Sequence, residues 1–178
     1  MIIIGIDPGI ATTGFGIIDK PNTGGSEPKA IDYGCIETSP KFSPGERLKL
    51  INTELNKLLK KYEPKIMAVE SLFFFKNLKT VMPVSQAKGV ILFTAAKKKI
   101  PIYEFTPLQV KMAITGYGKA EKKQVQEMIK VLLNLKDNKE FVDKKLKDDA
   151  ADALGIALCY TFHARMINVE NGYKRKQN

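Results

Sequence analysis

The chain has 178 residues, 44% of them hydrophobic, which suits one globular domain and excludes a disordered chain. No apolar run reaches the roughly 18 residues that a membrane-spanning helix needs, and no basic start precedes the N-terminal apolar run, so a signal peptide is not expected. The net charge of +10 favours a polyanionic partner such as nucleic acid, bound by a salt-sensitive attraction to its phosphates.

The beginning of the chain predicts antiparallel strands. Three apolar runs with short links favour a meander whose strands cover residues 2–7, 14–19 and 30–38. Both cysteines, Cys35 and Cys159, lie within apolar segments. This placement favours buried thiols in a reducing cytoplasm, where we expect the protein to reside.

Helices and strands alternate in the remainder. Ser43 and Glu46 form a capping box at the start of an amphipathic helix. Apolar spacing, prolines and terminal lysines predict a helix over 44–62, a strand over 65–70, a helix over 79–98 and a strand over 101–105. Three more helices are predicted: one that begins at residue 107, one over about 120–134 and one over about 149–166. This order, βββ-α-β-α-β-α-α-α, predicts an α/β domain over 1–167 with a mixed five-stranded sheet flanked by helices, and a basic, flexible tail over 168–178.

Four carboxylates stand beside apolar segments, where an unpaired charge is costly. Asp7 ends the first apolar run and Glu70 ends the fourth strand, whereas Asp149 and Asp152 open the last helix and share one face of it. Because sites in α/β sheets gather at the carboxyl ends of strands, all four side chains could converge at one edge. Oxygen-only ligands suit Mg²⁺ or Mn²⁺, and two such ions could activate water for phosphodiester hydrolysis.

Each carboxylate also has a purely structural interpretation. Asp149 could cap the helix, Asp152 could complement its dipole, and Asp7 could form a turn with Pro8 and Gly9. Glu70 is the hardest to explain in this way, since it interrupts an apolar run. The conjunction of the four favours a metal site, but the sequence alone does not show that they meet.

Six short motifs occur in order over residues 1–165. They are Ile4-Gly5-Ile6-Asp7-Pro8-Gly9, Val69-Glu70, Gln86-Ala87-Lys88-Gly89, Gln109-Val110-Lys111, Ala120-Glu121-Lys122-Lys123-Gln124-Val125 and Asp149-Ala150-Ala151-Asp152-Ala153-Leu154. The first motif alone is weak, whereas all six in order are specific. Together they resemble the RuvC family of bacterial Holliday-junction resolvases.

The resemblance implies an RNase H-like fold, a homodimer, and paired, symmetric, metal-dependent incisions at four-way DNA junctions during recombination and repair. It implies two Mg²⁺ ions per active site, which Mn²⁺ can replace, and it names RuvA and RuvB, the branch-migration proteins, as partners. The residues that it assigns to metal binding and catalysis are Asp7, Glu70, Asp149 and Asp152.

DNA contacts are also implied by the resemblance. Phe73 matches an aromatic position that contacts the crossover, and Lys111 and Lys122 match basic positions associated with DNA contact and catalysis. Lys76 follows the aromatic run, and aromatic rings beside cations suit unstacked bases next to phosphates. The alternative is that the phenylalanines belong to the core and the lysines to the solvated surface.

Three other functions remain open at this point. An actin-like-superfamily ATPase also begins with an apolar strand, Asp and Gly, but it needs a longer, two-lobed chain and a second phosphate loop. An RNase H-like nuclease acting on RNA would keep the carboxylates without needing Phe73 or Lys111. A junction-binding module without catalysis would gain nothing from four carboxylates facing DNA.

Overall fold

One mixed sheet organises the protein. The computed structural model describes residues 1–21, 27–71, 78–136, 141 and 144–175, with the backbone alone described for 78–80 and 165–175. The strands are β1 (Ile2–Asp7), β2 (Thr12–Asp19), β3 (Lys29–Glu37), β4 (Ile66–Glu70) and β5 (Ile102–Phe105). β1, β2 and β3 pair antiparallel, and β4 and β5 add in parallel beyond β1, which gives the order β3-β2-β1-β4-β5. The predicted meander and mixed five-stranded sheet are confirmed.

Within the described residues, five helices cover the two faces of the sheet in the predicted order. They are α1 (Pro44–Tyr62), α2 (Leu78–Lys97), α3 (Pro107–Thr115), α4 (Lys122–Leu132) and α5 (Asp148–Arg175). The buried residues of α1 and α2 pack on one face of the sheet, and those of α3, α4 and α5 pack on the other. No helix in the described ranges is long and apolar enough to cross a membrane.

The ends of the helices show what the sequence could predict. α1 matches its predicted bounds, because Ser43 and Glu46 complete the capping box and the left-handed Glu63 terminates the helix. The predicted end of α5 near residue 166 is wrong, since the helix continues to Arg175. Proline is absent from that stretch of the sequence, and a single glycine does not suffice to end a helix. The division into a domain over 1–167 and a flexible tail over 168–178 stays a prediction.

Strand alternation places the first carboxylate on the α5 side of the sheet. Ile4 and Ile6 of β1 join the core beneath α1 and α2, whereas Ile3 joins the core beneath α5. Because side chains of a strand alternate between faces, Asp7 continues the side of Ile3 and Gly5. Its carboxylate therefore emerges at the carboxyl end of β1, on the face that α5 covers.

Glycines in β1 and β2 allow α5 to approach the sheet closely. A Cβ on Gly5 would lie 2.0 Å from the carbonyl oxygen of Ala153, and a Cβ on Gly14 would lie 2.0 Å from that of Asp149. Gly14 pairs directly with Asp7 across the two strands. The first turns of α5 are therefore held over the end of β1, where Asp7 emerges.

A methyl group on Gly5 tests this contact. We expect Gly5→Ala to lower the free energy of unfolding by about 1–3 kcal/mol, because the methyl group would meet helix backbone that cannot rotate away. Denaturant unfolding measures the change. Gly45→Ala is the matched control, since nothing lies within 4 Å of a Cβ there. Equal stability of the two variants would contradict the assignment of Gly5 as a packing constraint.

Candidate active site

Two carboxylates meet at the carboxyl edge of the sheet. In the parallel pairing of β1 with β4, Ile6 pairs with Val69, so Asp7 and Glu70 follow at neighbouring positions. Both side chains are partly buried, and a hydrogen bond joins them. A pair of carboxyl groups can form such a bond only if one of them carries a proton.

The first turns of α5 bring two further carboxylates to the same edge. Asp149 and Asp152 are both partly buried, and their charges act on Asp7. Burial, followed by repulsion from Glu70, Asp152 and Asp149, raises the pKa of Asp7 to about 8. The structure therefore brings the four predicted carboxylates into one cluster, with the shared proton on Asp7 at neutral pH.

Glu70 and Asp152 experience the same crowding. Burial and then the charge of Asp152 raise the pKa of Glu70. The positive charges of Lys88 and Lys122 offset part of this rise. Burial also raises the pKa of Asp152, against the effect of its bond to Lys122. Carboxylates with raised pKa values that share one partly buried edge are typical of functional sites.

Lys122, at the start of α4, is in direct contact with this cluster. Its Nζ lies 3.0 Å from Oδ2 of Asp152 and 3.3 Å from Oδ2 of Asp148. Burial lowers the pKa of Lys122, but the bonds to these two carboxylates outweigh burial and raise it. The ion pair is half-exposed, so it acts mainly to orient Asp152 and adds little to stability.

The donor set fits a hard divalent cation. Its ligands would be carboxylate oxygens alone, which suit Mg²⁺ or Mn²⁺ better than zinc. Across the described ranges, no three His, Cys, Asp or Glu side chains already stand as a metal-holding group. The proton on Asp7 and the ammonium of Lys122 instead balance part of the charge of the cluster. A cation placed there would relieve the repulsion that adds to the effect of burial in raising the pKa of Asp7.

The predicted DNA contacts divide into two groups. Lys111 of α3 and Lys122 line one pocket together with Glu70 and Asp152, so the structure brings both lysines beside the carboxylates. Phe73 and Lys76 lie outside the described residues.

Lys88 has a place near the site that the sequence analysis did not assign to it. Its side chain is buried in α2, forms an ion pair with Glu104 of β5, and attracts the charge of Glu70. A signal for this position was present, because Lys88 shares a helix face with the buried residues Ile91 and Ala95. A lysine on the buried face of a helix indicates a specific partner.

Comparison with known proteins decides the family. The protein-family model for Crossover junction endodeoxyribonuclease RuvC matches residues 3–160. The chain belongs to the RuvC family. The family consists of metal-dependent nucleases. A RuvC from Alkaliphilus metalliredigens is 51% identical over 176 residues, covering 99% of this chain and 100% of that relative. A RuvC from Caldicellulosiruptor saccharolyticus is 49% identical, covering 94% of this chain and 96% of that relative.

Solved structures give the same result. Thermus thermophilus RuvC superimposes with a TM-score of 0.82 at 33% identity, covering 93% of this chain and 96% of that one. The same protein in complex with Holliday junction substrate gives a TM-score of 0.83. The yeast mitochondrial Holliday junction resolvase, at 18% identity and a TM-score of 0.70, shares the fold. The predicted RNase H-like resolvase fold and family are confirmed.

The proton on Asp7 makes stability depend on pH. The folded chain keeps a proton up to about pH 8, whereas the unfolded chain, with the ordinary pKa of 3.8, has lost it. The free energy of unfolding of the metal-free protein should therefore fall as pH rises, by up to about 4 kcal/mol between about pH 5 and about pH 8. Denaturant unfolding in a chelator measures this fall.

Asp7→Asn is the variant that isolates this effect. We expect this substitution to remove most of the fall in the free energy of unfolding with pH, because the amide carries no charge at either pH. Glu54→Gln, which removes a half-exposed carboxylate of α1, should leave this fall in stability unchanged. If the free energy of unfolding of the wild type instead rises over this pH range, in parallel with that of Asp7→Asn, the assignment of the proton to Asp7 is refuted.

Proposed function

We propose that this protein is a structure-selective endonuclease that resolves Holliday junctions by paired, symmetric, metal-dependent hydrolysis of phosphodiesters in DNA recombination and repair. Membership of the RuvC family supports this function. The observation that carries it is the gathering of Asp7 with three other carboxylates at one partly buried edge, in a chain of net charge +10. Burial, and then the charges of the other three, raise the pKa of Asp7 to about 8. A protein that only bound phosphates would gain nothing from an acidic cluster facing DNA. The cluster therefore favours a catalytic role.

The carboxylate cluster would hold the metal. Its members are Asp7, Glu70, Asp149 and Asp152. We propose two Mg²⁺ ions per site, replaceable by Mn²⁺, which would activate a water molecule and stabilise the leaving oxygen. Asp7 must release its proton to become a ligand, and Lys122 holds Asp152 in the orientation that faces the cluster.

Cations around the cluster would hold the DNA. Lys111 and Lys122 stand beside the carboxylates and are the proposed contacts to phosphates near the cut. Phe73 and Lys76 are the proposed contacts at the crossover, on the strength of their positions after Glu70. The overall positive charge supplies long-range attraction to the junction.

The assembly follows from the symmetry of the reaction. Two symmetric cuts need two active sites related by a two-fold axis, so we propose that the protein acts as a homodimer. RuvA and RuvB are the proposed partners, and the cytoplasm, where chromosomal junctions arise in bacteria, is the proposed location.

A cleavage assay tests the function. The protein is incubated with a synthetic mobile four-way junction, a plain duplex and an RNA–DNA hybrid, each with Mg²⁺ and then with Ca²⁺. We expect symmetric, ligatable nicks in the junction alone, and with Mg²⁺ alone. Preferential cleavage of the hybrid, or ATP hydrolysis, would overturn the proposal.

Asp7→Asn separates cleavage from binding. We expect a loss of cleavage of at least about 1000-fold, because a metal ligand is removed. Junction affinity should be equal or higher, because a negative charge facing phosphate is also removed. Single-turnover cleavage and a gel-shift assay in Ca²⁺ measure the two quantities, with Glu54→Gln as the control. Loss of binding together with cleavage would show that Asp7 is structural.

A further inference from the structure

An arginine of α1 is anchored to the loop that follows Asp7. The Nε–H of Arg47 donates to Oγ1 of Thr38 over 2.7 Å, and that hydroxyl donates to the carbonyl oxygen of Ile10 over 2.5 Å. The backbone N–H of Thr38 also donates to the carbonyl oxygen of Ala11. Ile10 follows Asp7 by three residues, a span of at most about 11 Å. Arg47 is therefore held close to the carboxylate cluster.

The directions of the strands place this anchor at the same edge of the sheet as the cluster. β1 and β3 both pair antiparallel with β2, so they run in the same direction. Thr38 directly follows β3, just as the loop over 8–11 directly follows β1. Lys111 stands at the other end of the sheet, on the helix that follows β5. In the order β3-β2-β1-β4-β5, the carboxylates of β1 and β4 therefore lie between the anchor of Arg47 and Lys111.

The guanidinium of Arg47 keeps most of its donors for a ligand. Its Nε–H makes the bond to Thr38, whereas its two terminal nitrogens carry four further N–H groups and have no partner within the described residues. Lys147, at the same edge, differs because its ammonium pairs with Glu37. A brace for the loop would need the Nε–H of Arg47 alone. The remaining fork of the half-buried guanidinium suits an anion, and its plane matches two oxygens of a phosphate.

We propose that Arg47 binds a backbone phosphate of the cleaved DNA strand, on the β3 side of the scissile phosphodiester. The inference rests on the proposed junction-cleaving function. With Arg47 on one side and Lys111 on the other, the strand would be held at two points across the carboxylate cluster. Because the cluster itself repels DNA, contacts on both sides are needed to position the phosphodiester between them. The bond to Thr38 already orders the guanidinium, so binding costs less side-chain entropy.

Salt dependence distinguishes a phosphate contact from a brace. Removing one cation that neutralises a phosphate lowers the slope of log Kd against log salt concentration by about one. Arg47→Gln should lower the slope in this way and weaken junction binding in Ca²⁺ by about 10-fold to 100-fold, the range for hydrogen bonds to a charged group. Lys60→Gln is the matched control, since it removes an exposed charge about 20 Å farther along the same helix. It should keep the wild-type affinity and slope.

Neutral phosphates locate the contact. Junctions are made with one methylphosphonate in each cleaved strand, at one of the first three phosphates on either side of the mapped scissile phosphodiester. Wild type should lose affinity at positions on both sides. Arg47→Gln should lose no further affinity at one position, or at two adjacent positions on the same side, because the phosphate that its missing guanidinium would bind is already neutral there. At the other positions it should respond as wild type does.

A conservative variant guards against misfolding. Arg47→Lys keeps the positive charge but loses the planar fork, so it should keep the wild-type salt slope, with an affinity between those of wild type and Arg47→Gln. Thermal melting checks that every variant is folded. If Arg47→Gln is unfolded, Arg47→Lys carries the test, because its loss of affinity relative to wild type should still disappear on the same methylphosphonate junction.

The outcomes separate this inference from the proposed function. If wild type cleaves the junction, but Arg47→Gln keeps the wild-type salt slope or responds to every methylphosphonate as wild type does, the phosphate contact is overturned and the resolvase function stands. Arg47 is then only a brace for the loop after Asp7. If wild type cleaves no junction, the proposed function fails, and this inference fails with it.

Discussion

The contact between the backbone of α5 and the glycines of β1 and β2 determines how the two aspartates of α5 stand relative to Asp7. Gly5 and Gly14 leave no room for a Cβ beneath Ala153 and Asp149, so helix and sheet touch through backbone atoms. Asp7 lies at the end of the same strand, and Asp149 and Asp152 project from the same helix turns. Rotamer changes cannot alter a spacing that is set by backbone contact, so the strand end and the helix turns that carry these carboxylates keep a fixed distance.

Rigidity forces like charges together, and the fold tolerates the repulsion in three ways. Asp7 keeps a proton, Lys122 pairs with Asp152, and Lys88 attracts Glu70 from the α2 side. These groups lower the electrostatic cost without removing it, as the pKa of Asp7 shows. A site selected for stability alone would replace the carboxylates with neutral residues, so the remaining strain indicates selection for function.

Sequence reasoning succeeded where local chemistry decides the structure. The order of the ten elements followed from apolar spacing, and both bounds of α1 followed from the capping box at Ser43. It failed at the end of α5, which was placed near residue 166 although no proline interrupts the helix before Arg175. Strand ends indicated that Asp7 and Glu70 would converge. The sequence could not predict the distance between α5 and the sheet, because that distance depends on which helix atoms the glycines face. Lys88 was missed because its partners, Glu104 and Glu70, come from other segments.

The acidic cluster is drawn from almost the whole length of the polypeptide. Asp7 comes from the first strand, Glu70 from the fourth and Asp152 from the last helix, and the parallel pairing of β1 with β4 spans the distance between the first two. No chain still emerging from a ribosome holds the complete set until α5 has been synthesised and has packed on the sheet. The acidic edge is therefore complete only once α5 has packed on the sheet that carries Asp7 and Glu70.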